Sequence, residues 1–233
     1  MTMRLLSIDS AGDRLGAAVL AWSGEGTPTT LACLDGRAAR DHGRRLLPLV
    51  IEVCAGAGTA AEALTLVTVG RGPGSYTGLR VGIATALGVA VAGAIPVHGV
   101  ESLRAAALGS VGRVAVVADA GRGGFYAQAF EGRGERRSPG ALGPAVRLDA
   151  GALAAFLAQV PGAGPLHRIA LGDLAAAALG DGDPSVTVCR SAVGPVAIGR
   201  LACARFAEGV SPDEQALAVT PIYLRPAAAA ARG

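Results

Sequence analysis

One pattern occurs twice in this chain, and it limits the possible fold more than any other feature. Within residues 5–11, a mostly apolar run is followed by Asp9 and then by small residues. Residues 114–121 repeat this arrangement around Asp119, 110 positions after Asp9. In both copies a second strand, a helix and a further strand are predicted to follow in the same order. A unit that occurs twice in this way predicts an α/β protein with two lobes related by duplication.

The two predicted lobes differ in size. Residues 1–108 hold the complete unit, including helices predicted at 41–55 and 79–94, whereas residues 109–233 hold a reduced copy with a C-terminal helix and tail. The long helix at 79–94 has no full counterpart in the second lobe. A chain of 233 residues, of which 51% are hydrophobic and 17% charged, is large enough to bury a core in this arrangement.

A glycine-rich loop joins a buried strand predicted at 66–69 to the helix at 79–94. Its glycines permit backbone conformations that other residues avoid, and Ser75 or Thr77 can cap the first turn of the helix. The loop departs from the dinucleotide-binding fingerprint at Ser75, and the chain contains no Lys, which excludes a Walker phosphate-binding loop. A phosphate site at the start of the helix, with Arg80 in its first turn, is an open alternative.

Two stripes of small residues run along the helix predicted at 79–94. Residues four apart share one face of a helix, and small residues follow this spacing in two sets: Gly82, Ala86, Ala90 and Ala94, and Ala84, Gly88 and Ala92. Such stripes allow another element to pack very close to the helix backbone. Either the helix is buried in the core of this chain, or one stripe docks on a partner.

Asp9 and Asp119 occupy corresponding strand ends in the two lobes. Carboxylates facing each other across an interlobe cleft are typical of metal-dependent phosphotransfer, but each Asp can equally cap its own turn. The histidines, His42, His98 and His167, lie too far apart in sequence to indicate a metal site. The residues alone therefore indicate no catalytic set and no metal.

Two clusters of arginines stand out among the charged residues: Arg37, Arg40, Arg44 and Arg45 before and within the first helix, and Arg133, Arg136 and Arg137 in the second lobe. Each cluster forms either a solvated surface or a contact with an acidic partner or RNA phosphate. The net charge of +3 and the aromatic content of 3% argue against RNA binding by this chain alone.

Several features predict a cytoplasmic protein. The four cysteines are far apart and form no Cys-x-x-Cys pair, which is typical of small buried thiols rather than disulfides. The N-terminal apolar run is too short for a signal peptide. The helix at 79–94 is shorter than the roughly 20 residues that span a bilayer, so no membrane association is expected.

The glycine loop and its flank read Gly72-Pro73-Gly74-Ser75-Tyr76-Thr77-Gly78-Leu79-Arg80-Val81-Gly82. This stretch resembles the signature of the TsaB family, the dimerisation subunits of the bacterial machinery that makes threonylcarbamoyladenosine in tRNA. Shorter segments also resemble segments of this family, and they follow the same order along nearly the whole chain. These segments are residues 7–10, His42 with 46–48, 100–103, 119–120 with 125–126, and 221–225. The chain departs from the family where an arginine commonly follows Asp119-Ala120, because Arg122 comes one position later.

The resemblance implies a fold and a set of partners. The expected fold is α/β, a duplicated two-lobe fold of the actin-like and sugar-kinase-like (ASKHA) class with a reduced second lobe. The expected partners are a TsaD-type paralogue, a TsaE-type ATPase and tRNA bound through the complex, with a homodimer possible when the chain is alone. The first-lobe helices are expected to form the partner surface through seven residues: His42, Leu46, Val50, Gly82, Ala86, Leu87 and Ala90.

The function implied by the resemblance is that of a non-catalytic partner subunit of the tRNA-modifying complex. TsaD carries a pair of metal-binding histidines, and the corresponding positions here are Gly99 and Leu103. The metal and the threonylcarbamoyl-adenylate are therefore expected on TsaD, and no cofactor on this chain. Two alternatives are a small-molecule kinase that uses Asp9 and Asp119, and a metalloprotease, which the lack of a His-Glu-x-x-His motif disfavours.

Overall fold

A computed structural model describes residues 2–37, 41–180, 182–189, 193–211 and 219–224. Three features of the sequence analysis lie outside these described residues, namely Arg40, Arg225 and the alanine-rich tail that begins at Ala227.

The first lobe is built on a five-stranded sheet with the strand order β3-β2-β1-β4-β5. Its strands are β1 (Met3–Asp9), β2 (Arg14–Trp22), β3 (Thr29–Arg37), β4 (Leu66–Gly70) and β5 (Val97–Val100). The first three strands form an antiparallel meander, and β4 and β5 run parallel to β1. The helices of this lobe are α1 (His42–Gly56), α2 (Tyr76–Gly93) and α3 (Ser102–Ala107).

The second lobe repeats this topology. Its sheet follows the order β11-β10-β6-β7-β8, and β9 pairs with β7. The strands are β6 (Val111–Asp119), β7 (Gly124–Arg133), β8 (Gly140–Ala141), β9 (Val146–Asp149), β10 (His167–Leu171) and β11 (Val186–Cys189), and the helices are α4 (Leu153–Ala158), α5 (Asp173–Leu179) and α6 (Pro195–Ala207). Strand β6 is antiparallel to β7 and parallel to β10, as β1 is to β2 and β4.

The duplication and the reduced second lobe predicted from the sequence are confirmed. Helix α2 has 18 residues and its counterpart α5 has 7, while α1 has 15 residues and α4 has 6. The shorter helices cover less of the second sheet, so the second lobe offers a smaller outer helical surface than the first.

The sheets and helices stack in five layers. Helices α1 and α2 cover the outer face of the first sheet, and α4 and α5 cover the outer face of the second. Helix α6 packs on the inner face of the first sheet, where Cys203 belongs to the same buried cluster as Leu5, although α6 comes from the second half of the sequence. Helix α3 instead packs on the second sheet, where Leu103 belongs to the same buried cluster as Phe130. Each lobe thus supplies a helix that covers the sheet of the other lobe.

Helix α2 starts three residues earlier than the sequence predicts, at Tyr76, because the Ser75 hydroxyl accepts a hydrogen bond from the Gly78 N–H at 3.2 Å and caps the helix. At its other end, Ala94 takes a left-handed conformation, and the Ile95 N–H donates to the Ala90 carbonyl. The sequence predicts the next strand at 95–98, but this cap uses Ile95, so β5 starts at Val97.

Helix α2 has the length and the apolar composition of a possible membrane span. One of its faces, however, carries Leu79, Ile83 and Ala86, which are buried against the first sheet. A helix with one face in a protein core is typical of a globular fold.

The cysteines are more exposed than predicted. Cys203 is buried, but Cys54 is half-buried and Cys33 is exposed. The side chain of Cys189 lies outside the described residues.

Candidate functional site

The glycines of the signature stretch hold the start of α2 against the turn that follows β1. A Cβ atom added at Gly74 would lie 2.2 Å from the Ala11 carbonyl oxygen, and one at Gly78 would lie 2.1 Å from the Ser10 carbonyl oxygen. A Cβ at Gly82 would lie 2.2 Å from the Ser10 hydroxyl. These contacts leave no space for a side chain, so the spacing of the three glycines follows the close approach of two backbones.

Hydrogen bonds join the same two segments. The Ser75 N–H donates to the Ala11 carbonyl at 2.6 Å, and the Ser10 hydroxyl donates to the Gly78 carbonyl at 2.8 Å. The Gly78 N–H is already bound to the Ser75 side chain. Because protein backbone fills the space beside the β1 turn, the arrangement disfavours the alternative of a phosphate site there.

The first half of the signature stretch is tied to two other parts of the chain. The Gly72 carbonyl accepts from the Ser102 N–H at the start of α3, and the Arg71 carbonyl accepts from the Ile222 N–H of the C-terminal segment, both at 2.8 Å. Pro73 is buried between these contacts. The stretch therefore acts as a structural junction of the first lobe, with only its Ser75–Thr77 portion and Arg80 at the surface.

Glu101, between β5 and α3, forms ion pairs with three arginines at the boundary of the lobes. Its carboxylate lies 3.3 Å from the Arg71 guanidinium, 3.1 Å from Arg104 and 3.6 Å from Arg205 of α6. Because these groups are mostly shielded from water, the ion pairs are screened less than pairs on the surface. This network connects the first-lobe junction to the helix that the second half of the chain contributes.

His98 lies on β5 beside this network and is fully buried. Burial, together with the positive charge of Arg205, lowers the pKa of His98 to about 4. Its ring meets the ring of Phe206 edge-on, with 4.9 Å between centroids. Neither ring nitrogen has a hydrogen-bond partner within the described part of the chain. His98 is therefore a neutral core residue at neutral pH.

Asp9 and Asp119 both accept hydrogen bonds from backbone N–H groups. Asp9 is buried, which raises its pKa, and its two oxygens accept from Ala11 at 3.1 Å and Gly194 at 3.0 Å. Asp119 accepts from Leu174 at 3.3 Å and Ala175 at 2.7 Å, and so caps α5. Asp9 thus caps its own turn through Ala11 and also binds the residue before α6, whereas Asp119 caps α5 instead of its own turn.

The space around Asp9 also disfavours a catalytic cleft. The cavity that Asp9 lines has a volume of about 10 Å³, no more than a single water molecule needs, and Asp119 does not line it. Across the residues that the structure describes, no three His, Cys, Asp or Glu side chains lie close enough to hold a metal ion.

Most of the predicted partner-binding residues are buried, and this prediction is corrected. Leu46 and Val50 of α1, and Gly82, Ala86 and Ala90 of α2, lie beneath the helices and face the first sheet. They cannot contact a partner without unfolding the lobe. His42 is half-buried at the start of α1, and Leu87 is exposed. The spacing of small and apolar residues marks a packed face but does not say what packs on it.

The opposite sides of the same helices form an exposed apolar surface. We define the α1/α2 face by four exposed large side chains, Leu47 and Ile51 of α1 and Leu87 and Val91 of α2. The second stripe of small residues, Ala84, Gly88 and Ala92, is exposed beside them. Helices α1 and α2 lie side by side on the sheet and contact each other. Of the two stripes recognised in the sequence, one is therefore buried in the core except for Ala94, which is exposed at the C-cap, and the other faces solvent.

Two exposed tyrosines and one arginine form a cluster that sequence reasoning missed. We call Tyr76, Arg80 and Tyr223 the Tyr–Arg cluster. The Arg80 guanidinium carbon lies 4.2 Å from the centre of the Tyr76 ring, the Arg80 Nε donates to the Tyr223 hydroxyl at 3.2 Å, and the two ring centres are 5.0 Å apart. Tyr76 and Tyr223 belong to two separate motifs of the family resemblance. Their presence in these motifs was the only sign in the sequence that the two tyrosines could matter.

The described arginines of the two clusters are exposed. Arg37, Arg44 and Arg45 surround the start of α1, where Arg45 donates to the Arg37 carbonyl. Arg133, Arg136 and Arg137 lie around the connection from β7 to β8.

Comparisons with known proteins agree with the resemblance seen in the sequence. A family model described as "TsaD: tRNA N6-adenosine threonylcarbamoyltransferase" matches residues 36–162, which is more than half of the chain. The Escherichia coli tRNA threonylcarbamoyladenosine biosynthesis protein TsaB is 35% identical over 129 residues, which cover 53% of this chain and 53% of that protein. An uncharacterised protein of Mycobacterium leprae is 43% identical over 122 residues, or 52% of this chain and 34% of that protein. The chain thus spans about half or less of the length of these relatives.

The fold is similar to that of a solved structure over almost the entire chain. YeaZ from Pseudomonas aeruginosa superposes with a TM-score of 0.74 and 24% sequence identity, and the match covers 95% of this chain and 100% of that one. The predicted fold is confirmed: the chain has a duplicated two-lobe α/β fold, which it shares with that structure.

Proposed function

The chain belongs to the TsaD family, where it resembles the TsaB members, and from this premise we propose that it is a non-catalytic subunit of the tRNA threonylcarbamoyladenosine machinery. It binds a TsaD-type paralogue in the cytoplasm and supports threonylcarbamoyl transfer to the adenosine next to the anticodon of ANN-decoding tRNAs. A TsaE-type ATPase joins this pair, and tRNA binds through the complex. Without the paralogue, the same surface pairs two copies of this chain.

The observation that carries the proposal is the α1/α2 face. Helices α1 and α2 already bury one side in the core, yet their outer sides still hold two pairs of large apolar residues at helical spacing. Val91 is 80% exposed. A group of exposed apolar side chains on adjacent helices is typical of a protein-protein interface. The small residues beside Leu87 allow helices of the partner to approach closely.

The residues at the positions of the expected metal ligands support a non-catalytic role. Gly99 has no side chain, and Leu103 is buried in the core between α3 and the second sheet. Neither residue can bind a metal, so the residues present do not fit the metal site of the family. We therefore place the metal and the threonylcarbamoyl-adenylate on the TsaD-type partner, and no cofactor on this chain.

A small-molecule kinase, the alternative function, has less support. Both candidate carboxylates are bound to backbone N–H groups, and the cavity beside Asp9 is too small for a nucleotide.

The test is light scattering on a sizing column with the TsaD-type paralogue from the same genome. We expect a one-to-one complex that transfers threonylcarbamoyl to tRNA, while this chain alone is inactive. Val91→Arg places a charge among the exposed apolar side chains of the α1/α2 face and is expected to abolish the complex. Val111→Arg is the matched control, because Val111 is 81% exposed on the second lobe. A complex that forms equally well with both variants contradicts the proposal, as does the lack of a complex with the wild-type chain.

A further inference from the structure

We infer that the Tyr–Arg cluster is a site for one carboxylate side chain of the partner subunit, at the N-terminal end of the α1/α2 face. The inference rests on the proposed function, because the carboxylate belongs to the paralogue that covers this face. Arg80 supplies the positive charge, and Tyr76 and Tyr223 hold its side chain in one position.

The Arg80 side chain is fixed before any partner arrives. Its guanidinium lies over the ring of Tyr76, with 4.2 Å from the carbon to the ring centre, and its Nε is bound to the Tyr223 hydroxyl at 3.2 Å. An exposed arginine normally loses considerable side-chain entropy when it binds. Two contacts that already hold the guanidinium reduce that loss, so binding to a carboxylate becomes more favourable.

The free side of the guanidinium suits a carboxylate. Nε is used by Tyr223, and the two terminal nitrogens of Arg80 have no hydrogen-bond acceptor among the residues that the structure describes, so they can donate to a ligand. None of the acidic residues in the described ranges forms an ion pair with Arg80. The terminal N–H groups of a guanidinium match the two oxygens of a carboxylate in spacing and direction. The N-terminal end of the 18-residue helix α2 adds positive potential at the same place.

The cluster continues the α1/α2 face along α2. Tyr76, Arg80, Leu87 and Val91 follow the spacing i, i+4, i+11 and i+15, which places all four side chains on one side of the helix. Arg80 and Val91 are separated by about 16 Å along the helix axis. A partner that covers Leu87 and Val91 therefore reaches Arg80 within an interface of ordinary size.

The cluster is not needed to hold the C-terminal segment in place. That segment is fixed by Val219, which is buried in the core of the first lobe, and by the hydrogen bond from Ile222 to Arg71. Tyr76 and Tyr223 stay largely exposed. Tyrosine and arginine are enriched among the residues that contribute strongly to binding when a partner covers them.

The geometry favours a protein carboxylate over RNA. A site that stacks an unpaired base needs an open aromatic face. Here Arg80 covers one face of Tyr76, and the Tyr223 ring lies against Tyr76 with an angle of 33° between the planes. RNA binding by charge alone also needs several cations along the path of the phosphates, whereas the cluster contains one.

The test measures the dissociation constant for the TsaD-type paralogue at low and high salt. We expect Arg80→Gln to weaken binding at least about 10-fold at low salt, the loss typical of a hydrogen-bonded charge pair. Added salt should then weaken binding by Arg80→Gln less than it weakens the wild type. Tyr223→Phe keeps the ring but removes the acceptor for Arg80, so we expect a smaller loss, about 3-fold. Arg137→Gln, at an exposed arginine of the second lobe, is the matched control and is expected to bind as the wild type does.

The outcomes separate this inference from the proposed function. If Arg80→Gln binds as tightly as the wild type with the same salt dependence, while Val91→Arg does not bind, the carboxylate site is wrong and the proposed function stands. If Arg80→Gln leaves the affinity for the paralogue unchanged but weakens tRNA binding by the complex, the cluster contacts RNA and the inference is also wrong. If the wild-type chain does not bind the paralogue, both are overturned. Thermal melting of each variant shows whether the fold is retained.

Discussion

The outer helix pairs of the two lobes occupy the same place in the duplicated fold but differ in what they expose. Helices α1 and α2 carry four exposed large apolar residues, whereas within the described helices α4 and α5 only Leu174 is exposed to this degree. The starts of α2 and α5 are also held differently. Glycines bring α2 against the β1 turn, and the Asp119 carboxylate caps α5. Duplication thus supplied two equivalent layers, and among the described residues the outer helices of the first lobe expose a group of large apolar side chains that those of the second lobe lack.

The largest effect is expected where α2 meets the β1 turn. Gly78→Ala places a Cβ atom 2.1 Å from the Ser10 carbonyl oxygen, so one of the two backbones must move. We expect a loss of about 3 kcal/mol in the free energy of unfolding, as for other overpacked sites. Chemical denaturation followed by circular dichroism measures this loss.

Gly88→Ala is the control for this change, on the exposed side of the same helix. A Cβ at Gly88 has no neighbour within 4 Å. Since alanine favours a helix more than glycine does, this variant should gain about 0.5–1 kcal/mol. Equal stability of the two variants contradicts the assignment of an inner and an outer side to α2.

A smaller effect, on binding rather than on folding, compares the two lobes directly. Leu47 of α1 is 50% exposed and Leu174 of α5 is 51% exposed, so the same substitution at each changes the same amount of apolar surface. Leu47→Asp should weaken binding to the TsaD-type paralogue by about 30-fold or more, because it places a charge inside the interface. Leu174→Asp should leave the affinity unchanged. Titration calorimetry distinguishes the two, and equal losses at both positions rule out a role specific to the first lobe.

The last effect concerns the boundary between the lobes and arises only as the pH falls. The pKa of His98 is about 4 in the folded chain, below its ordinary value of 6.5, because the ring is buried and lies near Arg205. Between these pH values the unfolded chain binds a proton that the folded chain does not, so stability falls as the pH falls from 6.5 to about 4. At pH 5 the loss from His98 should be about 2 kcal/mol.

The check is a comparison of wild type and His98→Leu in thermal melts at several pH values. The variant lacks the titrating group, so its stability should fall less on acidification. Other groups, including Asp9, whose pKa is raised, contribute equally to both proteins and cancel in the difference. Parallel loss of stability in the two proteins would show that His98 does not titrate as described.

The order of strands and helices was predictable because each element carries its own local signal. The β-branched run before Gly70 and the long apolar helix after it were both recognised from composition and spacing. The errors lie at element ends, where long-range contacts decide. Strand β5 starts two residues later than expected because Ile95 completes the cap of α2, and nothing in the sequence around Ile95 distinguishes a cap residue from a strand residue.

The partner surface was predicted on α1 and α2, but five of the seven residues predicted for it are buried in the folded chain. Leu46 and Leu47 are neighbours in sequence, yet one is buried and the other faces solvent. The spacing of apolar residues in a sequence identifies a face of a helix that packs against something. A helix with two apolar sides has two such faces, and the spacing does not tell which one is buried in the core. The Tyr–Arg cluster was missed because Tyr223 is far from Tyr76 in sequence and only the folded chain brings their rings together.

By itself, the sequence determined the duplication, the two-lobe class of the fold and the family resemblance, because these depend on the order of local patterns along the chain. The tertiary structure alone decided which stripe of α2 is buried, what Asp9 and Asp119 bind, and which lobe each inner helix covers. Those features depend on contacts between residues far apart in the chain. Whether a residue is buried depends on such contacts, and the same apolar residue types occur in a protein core and in a surface that binds a partner.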